Sequence, residues 1–279
     1  MKGFFREISD RSRIDAHGDK GAMGTEFQHT IERGRRTVTE VAAETRSIYE
    51  EMLRRSTHLG TGNFKSLSAD DVEQLFDLYD ERFFNGGCRK TLGGAPLSFR
   101  LSKRMTQAAG KATRLRQRDR RSKEVTTEYE IAISTTLLFQ TFHDIDRPIV
   151  MSGIACRDRL EALQRILEHE VVHLIEFMIW EQSSCSAPRF QSVANRFFSH
   201  TEHTHQLITP RERAFAKFGV RAGSRVAFRL DGQHYVGVVN RITKRATVLV
   251  EDSRGVRYTD GKRYAKFYVP VAQLKPVND

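Results

Sequence analysis

The sequence predicts an α+β chain: a domain with a small antiparallel sheet and one long histidine-bearing helix, followed by a small all-β barrel. Three observations lead there. The stretch from Asp158 to Trp180 holds neither Pro nor Gly and contains His169-Glu170-Val171-Val172-His173. Before it, Leu97–Leu101 and Tyr129–Ser134 alternate apolar and polar residues as half-buried strands do. From Ala222 onward, short alternating runs recur between Gly-containing turns, and closing several short strands into a barrel removes exposed edges.

The elements follow in order, in a chain of 279 residues. Residues 1–65 read as a polar extension with a helix from about Gln28 to His58, striped by Ile31, Val38, Val41, Ile48 and Met52 and ended by Gly60-Thr-Gly62. Residues 66–215 form the central domain. Ser68 is an N-cap followed by Asp71, and Val72, Leu75, Phe76, Tyr79 and Phe83 share one helical face until Asn85-Gly86-Gly87. Ala108–Leu115 is a weaker strand, and the basic run Arg114–Lys123 reads as a solvated hairpin tip. Ser183-Ser-Cys-Ser186 breaks the chain after the long helix, and Pro188 opens a second helix through Phe197. Residues 216–279 form the barrel, with turns at Asp231-Gly232 and Ser253-Arg-Gly255.

Composition narrows the function classes. No apolar run reaches the length of a membrane span, and Met1–Asp10 lacks the apolar core of a signal peptide. Three cysteines, an odd number, argue against a disulfide scaffold and for a reducing, cytoplasmic setting. The formal net charge of +11 is uneven. Residues 216–279 carry 13 Lys/Arg against 5 Asp/Glu, and Arg100–Lys123 holds 10 basic residues against Asp119 alone. Such a distribution suits a polyanionic partner, nucleic acid first.

The histidine pair carries the chemistry. Residues four apart on a helix lie on one face, so His169 and His173 can hold one metal ion, and zinc suits imidazole best. Glu170, beside that face, is placed to act as a general base. Chance supplies this pattern only roughly 0.03 times in a chain of this composition. One zinc per chain is expected. A third ligand must come from elsewhere, and the candidates are Cys185 in the loop after the helix, or one of His200, His203 and His205. Cys88 and Cys156 read as buried, inert thiols.

At these residues a family resemblance emerges. Leu75-Phe-Asp-Leu-Tyr-Asp-Glu-Arg-Phe-Phe-Asn85, Ala109-Gly110, Ile131-Ala-Ile-Ser134 and Ile166-Leu-Glu-His-Glu-Val-Val-His173 resemble the SprT-like metalloprotease domain, the family of the Spartan-type DNA–protein crosslink proteases. The resemblance covers about residues 70–205. It implies a zincin-like zinc peptidase with His169 and His173 as ligands and Glu170 as general base, acting on protein substrates held on DNA. The family draws its third ligand from a His-Gly-Pro-x-Phe segment. Here the matching stretch is Ser186-Ala-Pro-Arg-Phe190, so Ser186 stands at the His position and Cys185 is the natural substitute.

The tail resembles the Tudor/KOW-like small barrels attached to nucleic-acid proteins. Arg225, Arg229, Arg241, Lys244, Arg245, Arg257, Lys262 and Arg263 are interleaved with Tyr235, Tyr258 and Tyr264, a mixture suited to phosphates and stacked bases. Alternation predicts Arg225, Arg229 and Arg241 facing outward, with Val226, Phe228 and Val238 inside. Arg114, Arg116 and Arg118 add a second, smaller share. Two functions follow. One is a zinc endopeptidase recruited to nucleic acid. The other is a non-catalytic nucleic-acid-binding protein whose zinc is closed by four side chains.

Overall fold

The computed structural model describes residues 3–4, 22–118 and 125–277, and the chain divides into two units. One comprises residues 1–142 and 146–207, the other residues 143–145 and 208–279. The mixed α+β content agrees with the expected class.

In the first unit the expected helix over residues 28–58 is two helices, α1 (Ala22–Arg33) and α2 (Val38–Arg55). Thr37 causes the break. Its hydroxyl accepts from the Glu40 backbone N–H while the Glu40 carboxylate takes the Thr37 N–H, a capping box that starts a new helix and contributes about 1 kcal/mol. Both helices belong to the unit's core. Ile31, Ile48 and Met52 are fully buried, and Arg196 donates to the carbonyl oxygens of Ile31 (2.8 Å) and Gly34. Helix α3 (Ala69–Phe84) begins with a second capping box, Ser68 with Asp71, and ends at Asn85 in the left-handed region (φ 50°). After Gly86 (φ 70°) the short α4 (Gly87–Leu92) follows.

Three further pieces surround the long helix. Strands β2 (Leu97–Ser102), β3 (Gly110–Arg118) and β4 (Val125–Ser134) make a sheet of order β2-β4-β3, and α5 (Thr135–Gln140) follows β4. This sheet is not wholly antiparallel as expected. β3 and β4 are antiparallel, but β2 and β4 run parallel. The reason is burial: Ile131, Ala132, Ile133 and Ser134 are fully or almost fully buried, so β4 takes the centre and β3 becomes an edge. Within the basic run, Arg114–Arg118 are strand rather than hairpin tip or loop, pairing with Tyr129–Val125 in antiparallel register. Residues 119–124 of that run lie outside the described residues. A second small sheet orders β1 (Gly3–Phe4), β7 (Thr204–His205), β5 (Ile149–Met151) and β6 (Ile154–Cys156).

Helix α6 (Arg159–Trp180) runs through the unit and is buried on nearly every face. Asp158 caps it, accepting from the Glu161 N–H. Its first residue is a buried cation. The Arg159 guanidinium donates to the carbonyl oxygens of Leu138 (3.1 Å) and Phe64, between the rings of Phe64 and Phe139. Helix α7 (Pro188–Phe198) follows the Ser-rich break, starting at Pro188 as expected.

The second unit opens with α8 (Pro210–Phe218). Arg213 and Lys217 on this helix pair with Asp144, holding its carboxyl well below the usual range. Strands β8 (Arg225–Leu230), β9 (Gln233–Ile242), β10 (Ala246–Arg257), β11 (Arg263–Val269) and β12 (Lys275–Pro276) form an antiparallel sheet of order β11-β10-β9-β8-β12. The expected barrel is corrected: this order does not return on itself. The last strand is two residues long and ends on Pro276, which has no N–H to donate, so β12 covers one edge of β8 without reaching β11. Two local readings also change. Ser253-Arg-Gly255 is no hairpin turn but lies within β10, at a register shift between Glu251 and Val256, and the turn comes at residues 258–262. A Cβ at Gly255 would stand 2.3 Å from the Tyr264 carbonyl carbon, so only glycine permits that approach. In β9 a shift between the pairs Thr247–Arg241 and Val248–Val239 leaves Asn240 as an extra residue. Val239 is therefore inside and Val238 is 42% exposed, the reverse of the expectation for Val238.

Candidate metal centre

The two histidines of α6 converge as their spacing requires. His169 Nε2 and His173 Nε2 stand 3.2 Å apart, and both rings are buried. Cys185 comes from the loop between α6 and α7, and its sulfur and the two imidazole nitrogens all lie within 4.8 Å of one another. Phe190, near the start of α7, lies against both imidazoles, with ring centroids 4.7 and 4.5 Å away. Burial among these groups pushes the His169 pKa well below its usual value and that of His173 down to about 3. Both rings are thus neutral, the form in which imidazole binds a metal.

This donor set fits zinc. Two nitrogens at the usual zinc distance and a tetrahedral angle stand roughly 3.3 Å apart, close to the separation seen here. An imidazole nitrogen and a cysteine sulfur, once deprotonated, are both ordinary zinc donors.

Glu170 lies one residue beyond His169, beside the pair. One oxygen, Oε2, accepts the Ala112 N–H of β3 at 2.6 Å, and the other, Oε1, is buried. Desolvation pushes its carboxyl up to about 8, against the lowering effect of the Ala112 N–H and Lys111. A dication nearby favours the charged form and opposes that rise. Gly110 leaves room for this carboxylate, since a Cβ there would stand 2.5 Å from Glu170 Oε1. The Ala109-Gly110 pair in the sequence thus marks where the edge strand passes the acid.

The other histidines are placed differently. His200 Nε2 lies 2.8 Å from Glu168 Oε2, which also takes Arg165 Nη1 at 2.7 Å, while Tyr79 donates to the second Glu168 oxygen at 2.6 Å. His205 Nε2 is 2.8 Å from the Gln107 carbonyl oxygen. His203 is half-buried, with Nδ1 3.5 Å from Gln191 Nε2. None of the three joins the converging group. Ser186, at the expected family His position, is exposed and lies 2.9 Å from the Ser184 hydroxyl. Cys88 and Cys156 are buried elsewhere, and desolvation raises both thiol pKa values, that of Cys156 to about 12.

Sequence reasoning missed the shell around His173. Its Nδ1 is 2.6 Å from Ser183 Oγ, which donates to Glu176 Oε2 at 2.6 Å. Arg189 Nε donates to Glu176 Oε1 at 2.6 Å, with its guanidinium 4.4 Å from the Trp180 ring centroid. One signal was available: Glu176 follows His173 by three residues, on the same helical face.

The basic residues separate into two groups. Arg225, Arg229, Arg241, Lys244, Arg245, Lys262 and Arg263 are all exposed in the second unit. Lys262 pairs with Glu251, while Arg229, Arg241, Lys244 and Arg245 make no ion pair among the described residues. Arg114 and Arg116 in β3 face Glu181 at 3.4 and 3.6 Å, and Arg118 is exposed. The tyrosines are less available than expected. Tyr235 packs on Phe228 and Phe267, and Tyr264 is buried. Among the described residues of this unit, the exposed aromatic residues are Tyr268, at 63%, and Phe215, at 57%.

Residues 72–209 match the SprT-like family, so the chain carries a SprT-like domain over that span. No curated protein and no solved structure matches the chain. Helices α1 and α2 precede the matched span yet belong to the same compact unit. Among the described residues, no helix is long and apolar enough to cross a membrane.

Proposed function

We propose that the chain is a zinc-dependent endopeptidase, with His169, His173 and Cys185 as ligands and Glu170 as general base, acting on proteins held on nucleic acid. The observation that carries this reading is the convergence of two neutral imidazoles and a thiol within 4.8 Å, beside a buried carboxylate. Zinc bound there supplies a Lewis acid that polarises a peptide carbonyl and makes water nucleophilic near neutral pH. Glu170 takes the proton of the attacking water and passes it to the leaving amine. A carboxyl whose pKa is drawn toward neutrality suits both transfers. The Ala112 N–H holds one of its oxygens, which leaves Oε1 for the proton. Phe190 and the buried helix exclude bulk water from the imidazoles. With these three side chains as its ligands among the described residues, a zinc ion would keep a fourth position for water or substrate, as catalysis requires.

Arg229, Arg241, Lys244 and Arg245, exposed and without an ion pair among the described residues, support recruitment to nucleic acid, because their charges can meet phosphates. Glu170→Gln is expected to keep one zinc per chain and to lose at least about a hundredfold in cleavage of a DNA-bound protein. His169→Ala is expected to lose the zinc. Undiminished zinc in His169→Ala, measured by metal analysis, overturns the reading.

A further inference from the structure

Glu176 is fully buried and engaged through both oxygens, by Ser183 and Arg189. Burying a carboxylate is costly unless it is paired and hydrogen-bonded. We infer that Glu176 is a positioning residue of the metal centre, acting through the Ser183 hydroxyl to fix the tautomer of His173. This inference rests on the reading that His173 binds a metal.

The direction of each proton follows from the donor inventory. Glu176, paired with the Arg189 guanidinium, is a carboxylate and only accepts. Ser183 has one hydroxyl proton, and it goes to Glu176 Oε2 at 2.6 Å. What Ser183 then turns toward His173 Nδ1, 2.6 Å away, is a lone pair. Nδ1 must therefore carry the ring proton. Nε2 is left as a bare donor, aimed where His169 Nε2 stands 3.2 Å away. Had the chain ended at Ser183, the hydroxyl could rotate and serve either tautomer. The anion behind it removes that freedom, and Arg189 keeps the anion in place from the start of α7. A fixed tautomer raises metal affinity because no ring flip or proton shift precedes binding.

The test uses the full chain with ¹⁵N-labelled histidine, first freed of metal by a chelator. The His173 resonances are identified by their loss in His173→Gln. In the wild type His173 is expected as the Nδ1–H tautomer. Ser183→Ala, a change at a half-buried loop position, is expected to populate the Nε2–H form, and Ser183→Thr to restore Nδ1–H. In cobalt(II) competition titrations Ser183→Ala is expected to bind about 10–100-fold more weakly, with Ser183→Thr recovering most of the loss. An Nε2–H wild type, or a tautomer unchanged in Ser183→Ala, overturns the inference. So does wild-type cobalt affinity in Ser183→Ala, which leaves the metal reading standing. A wild type that takes up no cobalt overturns the metal reading itself.

Discussion

The two units handle charge in opposite ways. Around α6 the ionisable groups are buried and each has particular partners: Glu168 holds Tyr79, Arg165 and His200, and Glu176 holds Ser183 and Arg189. In the second unit Arg229, Arg241, Lys244 and Arg245 lie exposed, without an ion pair among the described residues. Buried groups act through single atoms, because a displaced partner leaves an uncompensated charge or an unmade bond. Exposed cations act through their summed field, which salt screens and neighbours share. One substitution is therefore expected to matter greatly in the first unit and slightly in the second.

The largest effect is expected at Cys185. Cys185→Ser should weaken zinc by more than the 10–100-fold typical of losing an outer-shell partner. Cys88→Ser and Cys156→Ser should leave zinc affinity near wild type, since both thiols lie outside the converging group. Chelator competition on the three variants decides this, and equal affinities would move the third ligand to His200, His203 or His205. Next comes Gly110→Ala, which touches no proposed ligand. Its methyl group would displace the Glu170 carboxylate, so peptidase activity should fall about a hundredfold with zinc content unchanged.

Proton linkage gives a third, smaller effect in the metal-free chain. His173 and His205 have folded pKa values pushed down to about 3 and 4, while the unfolded chain titrates near 6.5. Between those values the unfolded state binds more protons, so their contribution falls as pH drops from about 6.5. Glu170 works in the other direction. Its carboxyl is raised from 4.5 to about 8, so stability falls as pH rises through that window. Denaturation midpoints against pH should therefore lose their decline toward pH 8 in Glu170→Gln and keep the decline on the acid side. The smallest effect belongs to the second unit. Arg241→Gln should weaken nucleic-acid binding modestly and flatten the log–log salt slope by roughly 0.7–0.9. Fluorescence anisotropy at several salt concentrations measures it. A hundredfold loss from that one change would break the contrast between the units.

The histidine motif was legible because its geometry is local. Four residues along a helix bring His169 and His173 together whatever surrounds them, and Glu170 travels with them. Cys185 was legible as a candidate because its loop directly follows the helix, although His200, His203 and His205 stood as rivals on spacing alone. What separated them was packing: Glu168 and the Gln107 carbonyl engage two of the rivals, and no sequence distance announces such partners. Strand faces were legible until a single extra residue intervened. Asn240 shifts the register in β9 and exchanges the faces of Val238 and Val239.

By itself, then, the sequence determined the helix starts at Ser68, Asp158 and Pro188, the histidine pair with its adjacent acid, and the surplus of cations near the C-terminus. Each depends on residues within a turn or two of one another, where the backbone dictates what meets what. Tertiary structure alone decided that β4 lies between β2 and β3, that the C-terminal sheet stays open, that Gly110 makes room for Glu170, and that a buried glutamate stands behind His173. Those outcomes join residues far apart in the chain, as Gly110 and Glu170 are, or turn on how a loop folds back on its helix, as Ser183 does on Glu176. They depend on which groups compete best for the limited space and hydrogen bonds of the interior, and no local pattern records that competition.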